Sequence, residues 1–215
     1  MYSRLINGLL ILTLALGLWQ VGTVGTFHAK AWLAGQLIER AWQQTLKGDA
    51  QVRPWPWADT WPVAELSVPR LGIRQIILSG DSGRVLAFGP GQTEHGAPGL
   101  NIISAHRDTY FRFLQDLQEG DVLLLNKAGR TDSFQVQELA IVDQRDFQID
   151  TLGFDDGQHA GKSSLILVTC YPFDAIRAGG DQRFLVLALS SNSESSKTGM
   201  SSEMMLHRVS LSIPR

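Results

Sequence analysis

Apolar and polar residues change their spacing several times along this chain, and each change predicts a different element. From Leu5 to Phe27 the sequence LINGLLILTLALGLWQVGTVGTF runs for 23 residues without a formal charge. At about 1.5 Å per residue, a helix of that length spans a hydrocarbon core of about 30 Å. A cleaved leader would have a shorter apolar region and a small-x-small cleavage site. The length of this stretch, with Trp19 inside it, points instead to an uncleaved membrane anchor over residues 1–28. Arg4 precedes the block, and His28 and Lys30 follow it, so the charge asymmetry that orients a span is weak. The flank ahead of the block is short and the region behind it is large, so either reading places the remainder outside the cytosol.

Between Ala29 and Asp49 the spacing becomes helical. Trp32, Leu33, Leu37, Ile38, Ala41, Trp42 and Thr45 recur at three and four residues and form one apolar stripe, with Gly48 as a stop. The stretch Arg53–Pro62, RPWPWADTWP, holds three prolines and forms neither a regular helix nor a central strand. It reads as an extended linker whose indoles pack on the domain that follows. Residues 29–62 are thus a helical stalk and a Pro/Trp-rich linker.

From Val63 to Leu189 the pattern is mainly β. VAELSVPRLGI, IRQIILSG, DVLLLNKAG, SFQVQELAIV, SSLILVTC and QRFLVLALS are short runs rich in β-branched residues, divided by Gly, Asp and Pro. Strands at such intervals predict a barrel or sandwich over residues 63–190. TYFRFLQDLQEGD predicts a short helical turn ending before Gly120. Residues 191–215 are Ser-rich without apolar periodicity at their start, a flexible tail.

Composition narrows the chemistry. Of 215 residues, 19 are Lys or Arg and 21 are Asp or Glu, a net charge of −2 that gives no footprint for nucleic acid. One cysteine, Cys170, excludes an intramolecular disulfide and any site needing several thiolates. The acidic pairs Asp155–Asp156 and Glu119–Asp121 are explained by turn solvation, so no metal and no cofactor are expected. A free cysteine is often buried and inert. In an exported chain, however, an idle thiol risks oxidation, and Cys170 sits where a strand meets a turn.

A cysteine nucleophile needs a route to thiolate and a proton donor for the leaving group. Five histidines are present. His28 is juxtamembrane and His207 lies beyond the Ser-rich stretch; His95 and His159 fall in polar loops. His106 differs, since NIISAHRDTYF places it directly after strand-like residues, behind the small Ala105. Spacing alone does not bring His106 to Cys170. A developing oxyanion also calls for positive charge. Arg183 opens the apolar run RFLVLAL and could equally be a surface cation, while Arg177 lies in a Gly-rich loop and reads as the more solvent-facing of the two.

SAHRDTYF, then LVTCYPF, then DQRFLV resembles the sortases, membrane-anchored cysteine transpeptidases. The resemblance extends through VPRLGI and LAFGPGQ and covers about residues 60–190. The usual family form TLxTC survives in Leu167, Thr169 and Cys170, and the usual Gly before the histidine is Ala105. In detail the chain looks most like the sortases of Gram-negative bacteria. The resemblance implies Cys170 as nucleophile, His106 as its acid/base partner and Arg183, thirteen residues after the cysteine, as stabiliser of the substrate carbonyl. It also matches Ser104, Val168 and Thr169 to positions that flank the substrate groove.

The same resemblance implies a closed, roughly eight-stranded β-barrel with short helices, preceded by the transmembrane helix. It implies cleavage of an LPxTG-like sorting signal on an exported protein, through a thioester, with transfer to an amine acceptor. The enzyme would be a single-pass protein of the inner membrane with its catalytic domain on the periplasmic side. Two other classes compete. The L,D-transpeptidases set their cysteine in a Ser-His-Gly-Cys context, whereas Cys170 follows Val168–Thr169. A membrane-tethered, non-enzymatic β-domain that scaffolds partners would leave Cys170 buried and inert.

Overall fold

The computed structural model describes residues 2–93, 99–145, 163–175 and 179–191, without the side chains at positions 4, 5, 9, 21, 24 and 27. His95, His159, His207, Arg177, Asp155–Asp156 and the Ser-rich tail beyond residue 191 lie outside the described residues.

A single helix, α1, runs from Tyr2 to Leu46, straight through the expected division between anchor and stalk. It ends where Gly48 takes φ 108°, as the sequence foretold. Along its first half Leu10, Ile11, Leu12, Leu14, Leu16, Leu18 and Trp19 are all exposed. Among the described residues, however, no helix is long and apolar enough to cross a membrane, so the expected transmembrane span is not recovered there. The C-terminal part of the predicted stripe docks: Ile38, Ala41 and Trp42 are buried, while Trp32 and Leu33 stay exposed. The linker packs only in part. Trp55 meets Phe88 edge-on at 5.0 Å, whereas Trp57 faces solvent.

Eight strands follow: β1 (Pro62–Val68), β2 (Ile73–Ser79), β3 (Gly91–Gln92), β4 (Leu100–Ser104), β5 (Val122–Lys127), β6 (Arg130–Asp143), β7 (Ser164–Tyr171) and β8 (Gln182–Ser190). They close into a barrel in the order β1-β2-β3-β4-β7-β8-β6-β5. The expected barrel is therefore the observed one. A short helix, α2 (Gly83–Leu86), and a 3-10 turn at Arg112–Asp116 fill two connections. The second is the helical turn expected within TYFRFLQDLQEGD.

Strand alternation builds the interior. In β1 the burial alternates strictly, with Ala64, Leu66 and Val68 inside. They join Ile77, Ile103, Leu123, Leu125, Phe134, Val136, Leu165, Leu167, Val186 and Ala188, with Phe111 and Leu114 from the connection after β4. Outward, Glu65 of β1 accepts a hydrogen bond from Trp42 Nε1 of α1 at 3.3 Å. Arg74 of β2 pairs with Glu65 at 2.6 Å and with Glu39 of α1 at 2.9 Å, so the helix is pinned to the β1–β2 face.

β7 is buried on both faces. Leu165 and Leu167 point into the core, and Ile166 packs outside with Ile102 and Leu185. That double burial is why SLILVTC reads as a continuous apolar run rather than an alternating one.

Candidate active site

β7 and β8 carry Cys170 and Arg183, His106 follows the end of β4 by two residues, and register decides which strand side chains share a face. β4 and β7 pair in parallel, with Ile102 opposite Ile166, Ile103 opposite Leu167 and Ser104 opposite Val168. β7 and β8 pair antiparallel, with Leu167 opposite Val186, Val168 opposite Leu185 and Cys170 opposite Arg183. Ile103, Leu167 and Val186 belong to the interior, whereas Ile102, Ile166 and Leu187 pack together on the outside. Counting two residues on from Ile166, and two again, puts Val168 and then Cys170 on the outer face.

The outer face therefore carries successive rows across β4, β7 and β8. Ser104, Val168 and Leu185 form one row. The next row has Cys170 beside Arg183. β4 ends at Ser104, and His106 lies two residues beyond it, in the connection that follows. Directly opposed residues in an antiparallel pair have Cα atoms about 4.5–5.5 Å apart. Cys170 and Arg183 are thus side-by-side neighbours, and Arg183 was the arginine singled out from the sequence. Cys170 is a free thiol and half-buried, while His106 is exposed.

The strand that delivers Cys170 is tied to the segment that delivers His106. Ala105 N donates to Val168 O at 3.2 Å. The Thr169 hydroxyl donates to Ala105 O at 2.7 Å in a buried hydrogen bond. Thr169 is only 2% exposed and lies opposite Phe184 on the interior face. Strand alternation turns its side chain inward, where it joins two strands, while Ser104 and Val168 lie on the outer face.

Arg183 is held by its surroundings. Nη1 donates to Gly180 O at 2.6 Å and to Gln182 O at 2.9 Å, and Nη2 donates to the Gln144 side chain. The end of β6 meets the approach to β8 through Gln144 N donating to Asp181 O at 2.6 Å, and through Arg145 paired with Asp181 at 2.7 Å. Beneath the Cys170–Arg183 pair, on the interior side, Tyr171, Phe173 and Phe184 form an aromatic cluster with ring centroids 5.1–6.3 Å apart. The cluster braces the strand ends that carry the site.

Sequence reading missed Arg107. In an HRD triplet it looks like a solvated loop cation, yet its side chain is only 2% exposed. Its guanidinium donates to Pro172 O at 2.7 Å and to Ala175 O at 2.8 Å, and its Nε donates to Asp108. Tyr110, from the same connection, donates to Phe88 O at 2.8 Å, and burial raises its pKa. Of the acidic pair Glu119–Asp121, Asp121 is committed to structure. It accepts from Arg70 Nη2 at 2.7 Å and from Gln118 N at 2.8 Å.

The Sortase domain family matches residues 66–191 of the chain. This protein belongs to the sortase family. Sortase D of Bacillus subtilis (strain 168) is 31% identical over 125 residues, which cover 56% of this chain and 60% of that protein. The chain thus spans less than two thirds of the length of this relative. Among solved structures, sortase A from Corynebacterium diphtheriae, a lid mutant, has a TM-score of 0.52 at 20% identity, covering 77% of this chain and 96% of that one. Sortase C of Streptococcus pneumoniae has a TM-score of 0.50 at 22% identity, covering 61% of this chain and 67% of that one. Both show the same barrel fold. None of these relatives supports the particular likeness to sortases of Gram-negative bacteria that the motifs led us to expect.

Proposed function

We propose that this sortase is a cysteine transpeptidase whose site comprises His106, Cys170 and Arg183. The observation that supports the reading is the register that sets Cys170 opposite Arg183, with Thr169 hydrogen-bonded to Ala105, the residue before His106. The Cys170 thiolate attacks a carbonyl carbon in an LPxTG-like sorting signal, forming a C–S bond. The C–N bond then breaks, and His106 as imidazolium gives its proton to the leaving amine, which leaves a thioester. An incoming amine attacks the thioester, His106 accepts its proton, and the C–S electron pair returns to Cys170. Arg183 donates to the carbonyl oxygen as charge builds on it, or holds the peptide backbone beside it.

Exported proteins bearing the signal are the proposed substrates, and the acceptor is an amine. The proposed location is the inner membrane, with the barrel on the periplasmic side and the first half of α1 as anchor. The uncharged stretch Leu5–Phe27 and the exposed apolar side chains along it support that placement. Release of the full chain from membranes by an alkaline wash would count against it.

The deciding assay offers the full chain LPxTG-type peptides and an amine acceptor. Cys170→Ala and His106→Ala should abolish product, and Arg183→Ala should lose ~10²-fold, as when one oxyanion donor is removed. Turnover that persists in Cys170→Ala refutes the mechanism. Full activity in Arg183→Ala would remove that residue from the site.

A further inference from the structure

The residues on either side of His106 are both bonded to residues on either side of Cys170. Ahead of the histidine, Ala105 O accepts from the Thr169 hydroxyl at 2.7 Å, and Thr169 precedes the cysteine. After the histidine, Arg107 donates to Pro172 O at 2.7 Å and Ala175 O at 2.8 Å, in the turn that follows the cysteine. The two tethers bracket the pair from opposite ends. The strand ladder cannot supply the second tether, because the regular β4–β7 pairing stops at Ser104 and Val168.

We propose that Arg107 is a positioning residue for the transpeptidase reaction, completing a two-sided clamp that holds His106 at a fixed offset from Cys170. The inference rests on the reading of His106 and Cys170 as the reacting pair. Guanidinium suits the task because its planar fork of donors serves two carbonyls at once, whereas an ammonium is a single point. The other donor edge, at Nε, is occupied by Asp108, whose own side chain is 63% exposed. Asp108 thereby keeps the fork oriented from the solvent side. Arg107 itself is 3% exposed, so the geometry is not averaged by solvent as a surface cation would be. Near-attack geometry is steep in distance: a displacement of about 1 Å from a remote change can cost about 10²-fold in rate.

The test uses the full chain with LPxTG-type peptide and an amine, comparing Arg107→Gln and Arg107→Lys with wild type and with Cys170→Ala. Rates are measured well below each variant's melting temperature and normalised to the fraction of Cys170 that is labelled by a thiol reagent. Arg107→Gln should lose ~10- to 10²-fold in kcat with KM within about threefold, and Arg107→Lys should recover part of the loss. A folded Arg107→Gln with wild-type kcat, or a loss confined to KM, overturns the proposal. If both variants fail to fold, the wild type still decides. Its Arg107 Nη protons should exchange slowly and show hindered rotation in ¹⁵N NMR spectra. Fast-exchanging, freely rotating Nη groups would refute the clamp. Activity that survives in Cys170→Ala would instead sink the catalytic reading, leaving the Arg107 contacts as a structural fact without that role.

Discussion

Replacing Thr169 with valine removes one hydroxyl and keeps the shape of the side chain. In the folded chain that hydroxyl donates to Ala105 O at 2.7 Å, and both residues are buried, at 2% and 6% exposure. Water has no room to replace the donor, so the carbonyl of Ala105 is left buried and unpaired. Such a loss costs about 1–3 kcal/mol. No cavity term adds to it, since valine fills the same volume. Thr169→Ser is the matched control. It keeps the hydroxyl and removes a methyl group, worth about 0.8 kcal/mol by area alone. Urea unfolding of the barrel followed by far-UV circular dichroism should therefore order the three as wild type, Ser, then Val. With a slope of about 2 kcal/mol per molar urea, a loss of about 2 kcal/mol lowers the midpoint by about 1 M. Stability of Thr169→Val within about 0.5 kcal/mol of wild type, or below which Thr169→Ser falls, would refute the claim that this bond joins β4 to β7.

Two other perturbations test the frame around the site. The hydrogen bonds from Arg70 hold the Asp121 carboxyl below its ordinary pKa. A depressed folded-state value means that the carboxylate stabilises the fold above its unfolded pKa, and that this is lost as pH falls through the folded value, in acid below about pH 4. Wild type should lose stability over that range, and Asp121→Asn should be less stable at neutral pH and converge with wild type in acid; parallel pH curves for the two would contradict the assignment. At Gly91 an added Cβ would lie 2.1 Å from Gly80 O and 3.2 Å from Leu86 Cδ2. Gly91→Ala should force β2 and β3 apart at a cost of about 1–3 kcal/mol or more, and a melting temperature equal to wild type would rule out that contact.

Most strands were legible because half-buried and doubly buried β-segments leave plain patterns of apolar residues. The six runs named from the sequence all fall on observed strands, and Gly48 ends α1 as expected. β3 was not legible. Two residues, Gly91 and Gln92, carry no periodicity, and their place is set by the close approach of Gly91 to Gly80. The partnership of β4 with β7 was also hidden, since period-two alternation shows which face is buried but not which strand lies alongside. Cys170, His106 and Arg183 were singled out through a motif resemblance; register then shows that the arginine opening RFLVLAL stands next to the thiol. Arg107 was missed for a physical reason. An arginine in a polar turn looks solvated until the fold shows that the carbonyls of Pro172 and Ala175 take its donors.

The pairing of β4 with β7 has a consequence for the chain's life before it is folded. The segments that carry His106 and Cys170 are joined through Ala105 and Thr169, which are 64 positions apart, with the β5–β6 hairpin between them in sequence. Closing so long a loop comes at the expense of chain entropy and is among the slower events in assembling a barrel. Until it happens, the segment that carries Cys170 is not tied to the segment that carries His106. On the proposed reading of Cys170, the chain would therefore travel with its thiol unaimed until the barrel closes.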